Sequence, residues 1–273
     1  MSIERARFAE VNGIRLSYGV CGTGEPLLLI PGLGADSSSW AVNIAAYSQT
    51  FTCIALDNRG SGQSDKPPGP YTTREMAADA AALLQYLGIE SAHVAGLSMG
   101  GAIAQMLALN SPQTVRSLIL SSSWARCDFY TKAVFRNYQR LRLSSSPEDF
   151  VRLVQLWIFA PPYFERHPEE LRLARKEASY ESLPADAFTA QCSASIEHDT
   201  LDDLSRIDAP TLITSGDEDI FIRPHFAQEL NRRIKNSRWV RFPRCGHGHH
   251  LEASDRYNEK TLEFLLEQKD DRS

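Results

Sequence analysis

The sequence lacks paired cysteines. Its five cysteines are an odd number and are scattered, with no Cys-x-x-Cys pair among them: Cys21, Cys53, Cys127, Cys192 and Cys245. This pattern excludes a disulfide framework and a cysteine metal site. Unpaired thiols are typical of a reducing compartment, so we expect a cytoplasmic protein.

The sequence also lacks a long apolar run. Its longest purely aliphatic stretch covers only residues 27–30, whereas a membrane-spanning helix needs about 20 apolar residues. The first seven residues include three charged ones, Glu4, Arg5 and Arg7, and no apolar stretch follows them. We therefore predict neither a signal peptide nor a membrane partner.

A large excess of charge of one sign is missing as well. With 29 basic and 34 acidic residues, the net charge is only −5. Such a chain offers no general attraction to phosphate backbones, so we expect no nucleic-acid partner. The remaining composition, 42% hydrophobic and 23% charged, is that of an ordinary globular protein.

Strand-like and helix-like segments alternate along most of the chain. Asn12-Gly13 separates two strand-like segments and predicts an N-terminal hairpin. Further strands are predicted at 27–30, 51–56, 93–95, 115–120, 211–214 and 239–242. Helices are predicted from the capping box Thr72-x-x-Glu75 to Gly88, and at 100–109, 226–234 and 257–266. The alternation predicts an α/β fold with a doubly wound, mostly parallel sheet and an antiparallel hairpin at its start.

One long segment interrupts this alternation, because residues 124–200 contain helical patterns only. Helices are predicted there at 129–143, 147–159, 169–180 and 185–195. We interpret this segment as an all-helical cap inserted into the sheet. The predicted division is a core made of 1–123 and 203–273 with a cap at 124–202, and the cap is too embedded to be an independent domain.

A catalytic motif lies between a predicted strand and a predicted helix. Gly96-Leu97-Ser98-Met99-Gly100 matches the Gly-x-Ser-x-Gly pattern of a nucleophile elbow. The sharp turn strains the serine backbone and brings the residues two before and two after it together, so both must be glycine. The pattern predicts that Ser98 is presented above the sheet at the positive end of a helix.

A serine nucleophile needs a base and an orienting acid, and in such a sheet they follow in the order serine, acid, histidine. Three acids and three histidines come after the last two predicted strands: Asp217, Glu218, Asp219, His247, His249 and His250. All follow the C-terminal ends of strands, where α/β sheets build their sites. A metal site made of the three histidines is a weaker interpretation, because no carboxylate or cysteine has metal-site spacing there.

Five motifs together carry a family resemblance. They are Ile30-Pro31-Gly32-Leu33-Gly34, Asp57-Asn58-Arg59-Gly60-Ser61-Gly62-Gln63-Ser64, the elbow, Gly216-Asp217-Glu218-Asp219, and Gly246-His247 with Leu251-Glu252. Through them nearly the whole chain resembles the α/β-hydrolase superfamily with a helical cap. In detail it is most similar to the branch of small esterases, 3-oxoadipate enol-lactonases and aminoacrylate or carbamate hydrolases.

The resemblance implies a role for each matching position. Ser98 is the expected nucleophile, and His247, directly after a glycine, is the expected base. Asp219 has the family's Gly-x-x-Asp spacing and is the expected acid. The backbone N–H groups of Leu33 and Met99 are the expected oxyanion-hole donors.

The loop that carries Leu33 departs from the family pattern. Many relatives have His-Gly where this chain has Pro31-Gly32. Because the expected donor is a backbone N–H, the change need not disable the site. We expect the substrate pocket to be lined by five further residues, namely Trp124, Trp157, Phe159, Ile220 and Gly248.

The resulting functional prediction is a cofactor-free serine hydrolase that cleaves a small carboxylic ester or lactone through an acyl-enzyme. Hydrolysis of a carbon–carbon bond in ring-cleavage diketones and hydrolysis of amides or carbamates are alternatives, because they use the same triad. A triad-containing ligand receptor or signalling module is the alternative from another class, and very slow turnover would distinguish it. A monomer and a homodimer are both compatible with the sequence.

Overall fold

A computed structural model describes residues 6–177 and 184–269, and an eight-stranded sheet forms their centre. Its strands are β1 (Arg7–Val11), β2 (Ile14–Cys21), β3 (Glu25–Ile30), β4 (Phe51–Leu56), β5 (Ala92–Leu97), β6 (Val115–Ser121), β7 (Thr211–Gly216) and β8 (Ser237–Phe242). Their order is β1-β2-β4-β3-β5-β6-β7-β8. Strands β1 and β2 pair antiparallel, and β3 to β8 are parallel. The predicted fold class is confirmed.

The N-terminal hairpin turns at Asn12 and Gly13. Their φ angles are 49° and 75°, both in the left-handed region that a two-residue hairpin turn requires. Val11 therefore pairs with Ile14, and the register continues to Arg7 opposite Tyr18.

Eleven helices accompany the strands in the described ranges. They are α1 (Ala41–Tyr47), α2 (Thr73–Tyr86), α3 (Met99–Asn110), α4 (Phe129–Ser144), α5 (Pro147–Ile158), α6 (Pro161–Arg166), α7 (Pro168–Lys176), α8 (Ala185–Glu197), α9 (Pro224–Arg233), α10 (His249–Glu252) and α11 (Ser254–Glu267). The Thr72 hydroxyl accepts a hydrogen bond from the Glu75 N–H at 3.0 Å, as the capping box predicts. No helix in this part of the chain is long and apolar enough to cross a membrane.

The sheet is buried on both faces. Leu28 and Ile30 of β3 pack into the apolar cluster that contains residues of α2 and α3. The alternate residues Leu27 and Leu29 pack into the opposite cluster, with residues of α1 and α11. This two-sided burial explains why β3 is a continuous apolar run in the sequence.

The helices α4 to α8 lie between β6 and β7 in the chain, and we call them the inserted helices. Helices α4, α5 and α8 match the predicted segments within two residues at each end. Helix α7 begins at Pro168, one residue before the predicted helix 169–180, whose residues 178–180 lie outside the described ranges. Helices α1, α6 and α10 were missed by the sequence analysis, because seven, six or four residues are too few to establish a helical period.

The strand order reverses at β3, which has β4 on one side and β5 on the other. Ile30, the last residue of β3, pairs with Gly96 near the end of β5. The segments after these two strands therefore leave the sheet side by side. Such a reversal is where α/β sheets form a crevice for ligands.

Candidate active site

The elbow places Ser98 between β5 and α3 in a strained conformation. Its φ and ψ are 53° and −115°. A Cβ atom at Gly96 would lie 2.3 Å from the Gly100 carbonyl oxygen, and one at Gly100 would lie 2.2 Å from the Ile30 carbonyl oxygen. Both distances are far below contact, so the turn requires glycine at both positions.

Asp219 and His247 form a buried hydrogen-bonded pair in the loops after β7 and β8. The His247 Nδ1–H donates to Asp219 Oδ2 at 2.8 Å. Asp219 Oδ1 accepts from the backbone N–H groups of Phe221 and Ile222 at 2.9 and 2.8 Å. The Phe221 ring also packs against the His247 imidazole, with ring centroids 5.1 Å apart. The carboxylate therefore orients the imidazole and holds its proton on Nδ1, so that Nε2 can accept a proton.

The rival acids lie in different surroundings. Asp217 Oδ1 accepts from Arg241 Nε at 2.8 Å in a surface ion pair. Glu218 is exposed. Neither has the burial or the imidazole contact that Asp219 has.

The rival histidines are both buried; His250 lines the same cavity as Ser98 and His247, but within the described ranges no hydrogen bond joins it to an acid as one joins His247 to Asp219. His249 uses both ring nitrogens, Nδ1 with the Ser122 hydroxyl at 3.1 Å and Nε2 with the Thr214 hydroxyl at 2.8 Å. Burial lowers the pKa of His249 well below its usual value and that of His250 to about 3. Among the residues that the structure describes, no group of three or more histidine, cysteine, aspartate or glutamate side chains is placed to hold a metal ion.

Ser98 and His247 line the same cavity, which has a volume of about 400 Å³. This size lies within the range of small-molecule sites. Its wall is mostly apolar and includes Val151, Val154 and Ile158 from α5. A larger groove of about 980 Å³ runs along the surface of α2 and contains neither Ser98 nor His247.

Two of the five predicted pocket residues, Phe159 and Gly248, line this cavity. The other three predictions were wrong. Trp124 is fully buried against Phe135, with ring centroids 5.4 Å apart. Trp157 packs edge-on against Tyr138, and Ile220 is 52% exposed on the surface.

Of the two expected oxyanion donors, one belongs to the cavity wall that Ser98 also lines, and the other directly follows Ser98 in the chain. Leu33 lines the cavity in the loop after β3. Met99 is the first residue of α3, so its N–H has no acceptor in a preceding helical turn. The altered Pro31-Gly32 segment is braced by Asn58, whose Nδ2 donates to the Pro31 carbonyl oxygen at 3.0 Å.

Comparison with known proteins identifies the family. A family model for the α/β-hydrolase fold matches residues 25–254. The chain belongs to the α/β-hydrolase fold family. The resemblance seen in the sequence is thereby confirmed.

Individual relatives of this α/β hydrolase come from the same branch. It is 30% identical over 252 residues to a protein of Azorhizobium caulinodans named as a proposed carbamate hydrolase, RutD, covering 92% of this chain and 95% of that one. The crystal structure of the enol-lactonase from Burkholderia xenovorans LB400 is 28% identical, with a TM-score of 0.88 over 95% of this chain and 100% of that one. A thermophilic esterase from Thermogutta terrifontis is 28% identical, with a TM-score of 0.86 over 97% of this chain and 99% of that one. These similarities support hydrolase activity.

The loop that carries His247 in this α/β hydrolase is tied to the inserted helices. Gly248 N–H donates to the Ile158 carbonyl oxygen at 2.7 Å. The Glu252 carboxylate accepts from Gly246 N–H at 2.8 Å and from Ala160 N–H at 3.1 Å. Burial raises the pKa of Glu252 to about 7, although both N–H donors lower it. The sequence analysis assigned no role to Glu252, and its only signal was its place after the histidine motif.

Proposed function

We propose that this protein is a serine hydrolase that cleaves a small carboxylic ester or lactone through an acyl-enzyme intermediate. One observation carries the proposal: the strained Ser98 lines the same cavity as His247, whose other ring nitrogen donates to a buried aspartate. A serine at its normal pKa is a weak nucleophile, and an adjacent oriented imidazole is what activates it.

The proposed reaction has two halves. His247 Nε2 takes the proton of the Ser98 hydroxyl while the oxygen attacks the substrate carbonyl. The resulting oxyanion accepts hydrogen bonds from the Leu33 and Met99 N–H groups. His247 then returns the proton to the leaving alcohol, and the C–O bond breaks. Water attacks the acyl-enzyme with His247 again as the base and releases the acid and the free serine.

The cavity wall supports a substrate with an apolar non-reacting part. The inserted helices supply apolar side chains to the cavity from α5, and Phe188 from α8 also lines it. We infer that these helices act as a cap that selects the substrate. The enol-lactonase and the esterase that resemble this chain support ester-bond cleavage.

Carbamate hydrolysis is the second candidate. The similarity to the Azorhizobium caulinodans protein favours it, because its name assigns that activity to a chain that this one matches over nearly its full length. The same residues would perform it: Ser98 displaces the alcohol of a carbamate ester to form a carbamoyl-enzyme, and water then releases the carbamic acid and the free serine.

Covalent labelling tests the nucleophile. A fluorophosphonate probe reacts with an activated serine, so the wild type should be labelled and Ser98→Ala should not. Ser48→Ala is the control and should be labelled like the wild type, because Ser48 is also a buried serine but lies at the end of α1 and does not line the cavity. Undiminished labelling of Ser98→Ala would remove Ser98 from the mechanism.

A substrate panel tests the bond that is cleaved. We expect turnover of nitrophenyl acetate or butyrate, or of a small enol-lactone, with kcat of at least about 1 s⁻¹. Turnover of a carbamate with no ester or lactone hydrolysis would favour the second candidate. Hydrolysis of a vinylogous diketone alone would favour carbon–carbon cleavage, and no turnover together with a ligand-dependent partner would favour a receptor.

A further inference from the structure

The loop after β3 is held at two points on either side of Leu33. We call residues 31–37 the oxyanion loop. Asn58 Nδ2 donates to the Pro31 carbonyl oxygen at 3.0 Å. Gly34 N–H donates to the side-chain oxygen Oε1 of Gln191 at 3.0 Å. The Leu33 N–H, the expected oxyanion donor, lies between these two anchors.

Gln191 reaches this loop from a distant part of the chain. It lies on α8, one of the inserted helices, and its side chain is fully buried. Its amide nitrogen Nε2 donates to the Arg59 carbonyl oxygen at 2.9 Å and to the Ser61 hydroxyl at 2.8 Å. The amide therefore bonds the oxyanion loop at one end and the turn at Arg59 and Ser61 at the other.

That turn is itself rigidly anchored. Arg59 Nε and Nη2 donate to the two carboxylate oxygens of Asp79 on α2, at 2.6 and 2.9 Å. Arg59 also forms an ion pair with Glu75 of the same helix. A two-bonded Arg–carboxylate contact fixes direction as well as distance. Since both donors of Gln191 are held on this support, its oxygen has one favoured position, and that position is opposite Gly34.

We propose that Gln191 is a positioning residue for the oxyanion hole, which couples the inserted helices to catalysis. The inference rests on the proposed function and deepens it. Gln191 acts through Gly34 and sets the direction of the neighbouring Leu33 N–H. Oxyanion donors act only when they are preorganised at the position where charge develops. Loosening Gly34 therefore weakens transition-state binding more than substrate binding.

The test compares two glutamine side chains, one on α8 itself and one on α4 that forms hydrogen bonds with α8. Gln191→Met keeps the length of the side chain and removes all three hydrogen bonds. Gln139→Met is the control, because the Gln139 amide on α4 donates to the Thr189 carbonyl oxygen at 3.0 Å and the Ser193 hydroxyl at 3.1 Å, away from the oxyanion loop. Ser61→Ala is a milder second variant, which removes only one of the two hydrogen bonds that Gln191 Nε2 donates.

The expected result is a selective loss of kcat. Gln191→Met should lower kcat about 10- to 100-fold with KM changed by less than about threefold, since loss of a whole oxyanion donor lowers kcat by about 100- to 1,000-fold. Ser61→Ala should lower kcat by a few-fold, and Gln139→Met should leave it unchanged. The affinity for a boronic acid that forms a tetrahedral adduct on Ser98 should fall with kcat/KM. An unchanged kcat in Gln191→Met, or equal losses in Gln191→Met and Gln139→Met, would overturn the proposal.

Amide hydrogen exchange separates this inference from the proposed function. The Gly34 N–H should exchange faster in Gln191→Met than in the wild type or in Gln139→Met, because its acceptor is gone. Unchanged exchange at Gly34 overturns the brace whatever the activity. If the wild type neither reacts with the fluorophosphonate nor turns over any substrate, the proposed function fails, and the Gly34 exchange rates still decide whether Gln191 holds the loop.

Discussion

The two carboxylate oxygens of Asp219 accept hydrogen bonds from different groups. Oδ1 accepts two backbone N–H groups, from Phe221 and Ile222, and Oδ2 accepts the His247 Nδ1–H. The two backbone donors determine which way the side chain can be oriented. In an asparagine at this position, the side-chain oxygen would have to face these two N–H groups, because the amide nitrogen is a donor and would find no acceptor there.

Asp219→Asn should therefore place its amide nitrogen opposite His247. The imidazole would then accept at Nδ1 and carry its proton on Nε2, so it could no longer take the serine proton. We expect kcat to fall by about 10⁴, as in triads with the wrong tautomer. Steady-state hydrolysis of the best panel substrate measures this loss.

Asp217→Asn is the matched control for that experiment. Asp217 lies two residues away, and its carboxylate pairs with Arg241 at the surface. Its loss should leave kcat near the wild-type value, because exposed ion pairs contribute about 0–1 kcal/mol to stability and this one does not contact the imidazole. A large loss in Asp217→Asn with a small one in Asp219→Asn would reverse the assignment of the acid.

The sequence predicted some residues of the site better than others. Ser98, Asp219 and His247 stand in motifs whose position relative to a strand is fixed, so their location follows from the strand order. Pocket lining depends on which way a side chain points, and for Trp124 that direction is into the core beneath the inserted helices. Gln191 had one weak signal, a polar side chain on the helix face shared with the buried Ala187 and Ala194.

At the scale of elements, Glu252 joins the inserted helices to the loop that carries His247. Its carboxylate accepts one N–H from Gly246 and one from Ala160, just after α5. Burial raises its pKa in the folded protein to about 7, from an ordinary value of 4.5. Folding therefore favours the protonated acid, and this stabilising preference is complete below about pH 4.5 and is lost as the pH rises through about 7.

The variant Glu252→Gln should remove this dependence, because glutamine is neutral at every pH. From about pH 5 to about pH 8, the free energy of unfolding of the wild type should fall relative to that of the variant. Urea titrations at the two pH values measure the difference. Glu90→Gln, at an exposed position, should leave the wild-type pH dependence in place. A constant difference between wild type and Glu252→Gln would contradict the raised pKa.

The predictability of elements depended on their length and on their neighbours. The strands and longer helices were evident because each repeats its apolar pattern over several residues. Helix α1 has seven residues and follows Trp40, which makes no side-chain capping hydrogen bond, so neither period nor cap signals it. Helix α6 has six residues after Ala160, with the same lack of a capping side chain.

At the scale of the whole molecule, burial of neutral histidines couples stability to pH. Four of the buried histidines have lowered pKa values, chiefly because burial penalises the charged imidazolium: His93, His198, His249 and His250. The value is about 4 for His198 and about 3 for His250. The unfolded chain, with an ordinary histidine pKa of about 6.5, binds these protons at a higher pH than the folded protein does.

Stability should therefore be complete above about pH 6.5 and fall as the pH drops towards the folded pKa values. Each buried histidine contributes a loss of up to about 1.4 kcal/mol per pH unit. Glu252 opposes this trend with a single proton, so four groups outweigh one. The net charge of −5 does not predict this loss of stability at low pH. The loss depends on which histidines are buried and not on how many histidines the chain has.

Urea unfolding between about pH 8 and about pH 5 measures the effect, and we expect the free energy of unfolding to decrease towards the acid end. His198→Gln should reduce the slope of the free energy of unfolding against pH by the contribution of about one proton, because glutamine is uncharged in both the folded and the unfolded state. Gln113→Ala is the control, since Gln113 is exposed and uncharged at every pH, so its loss should leave the slope unchanged. A profile that stays flat over this range, or a slope that His198→Gln does not change, would mean that these imidazoles take up protons without unfolding the chain.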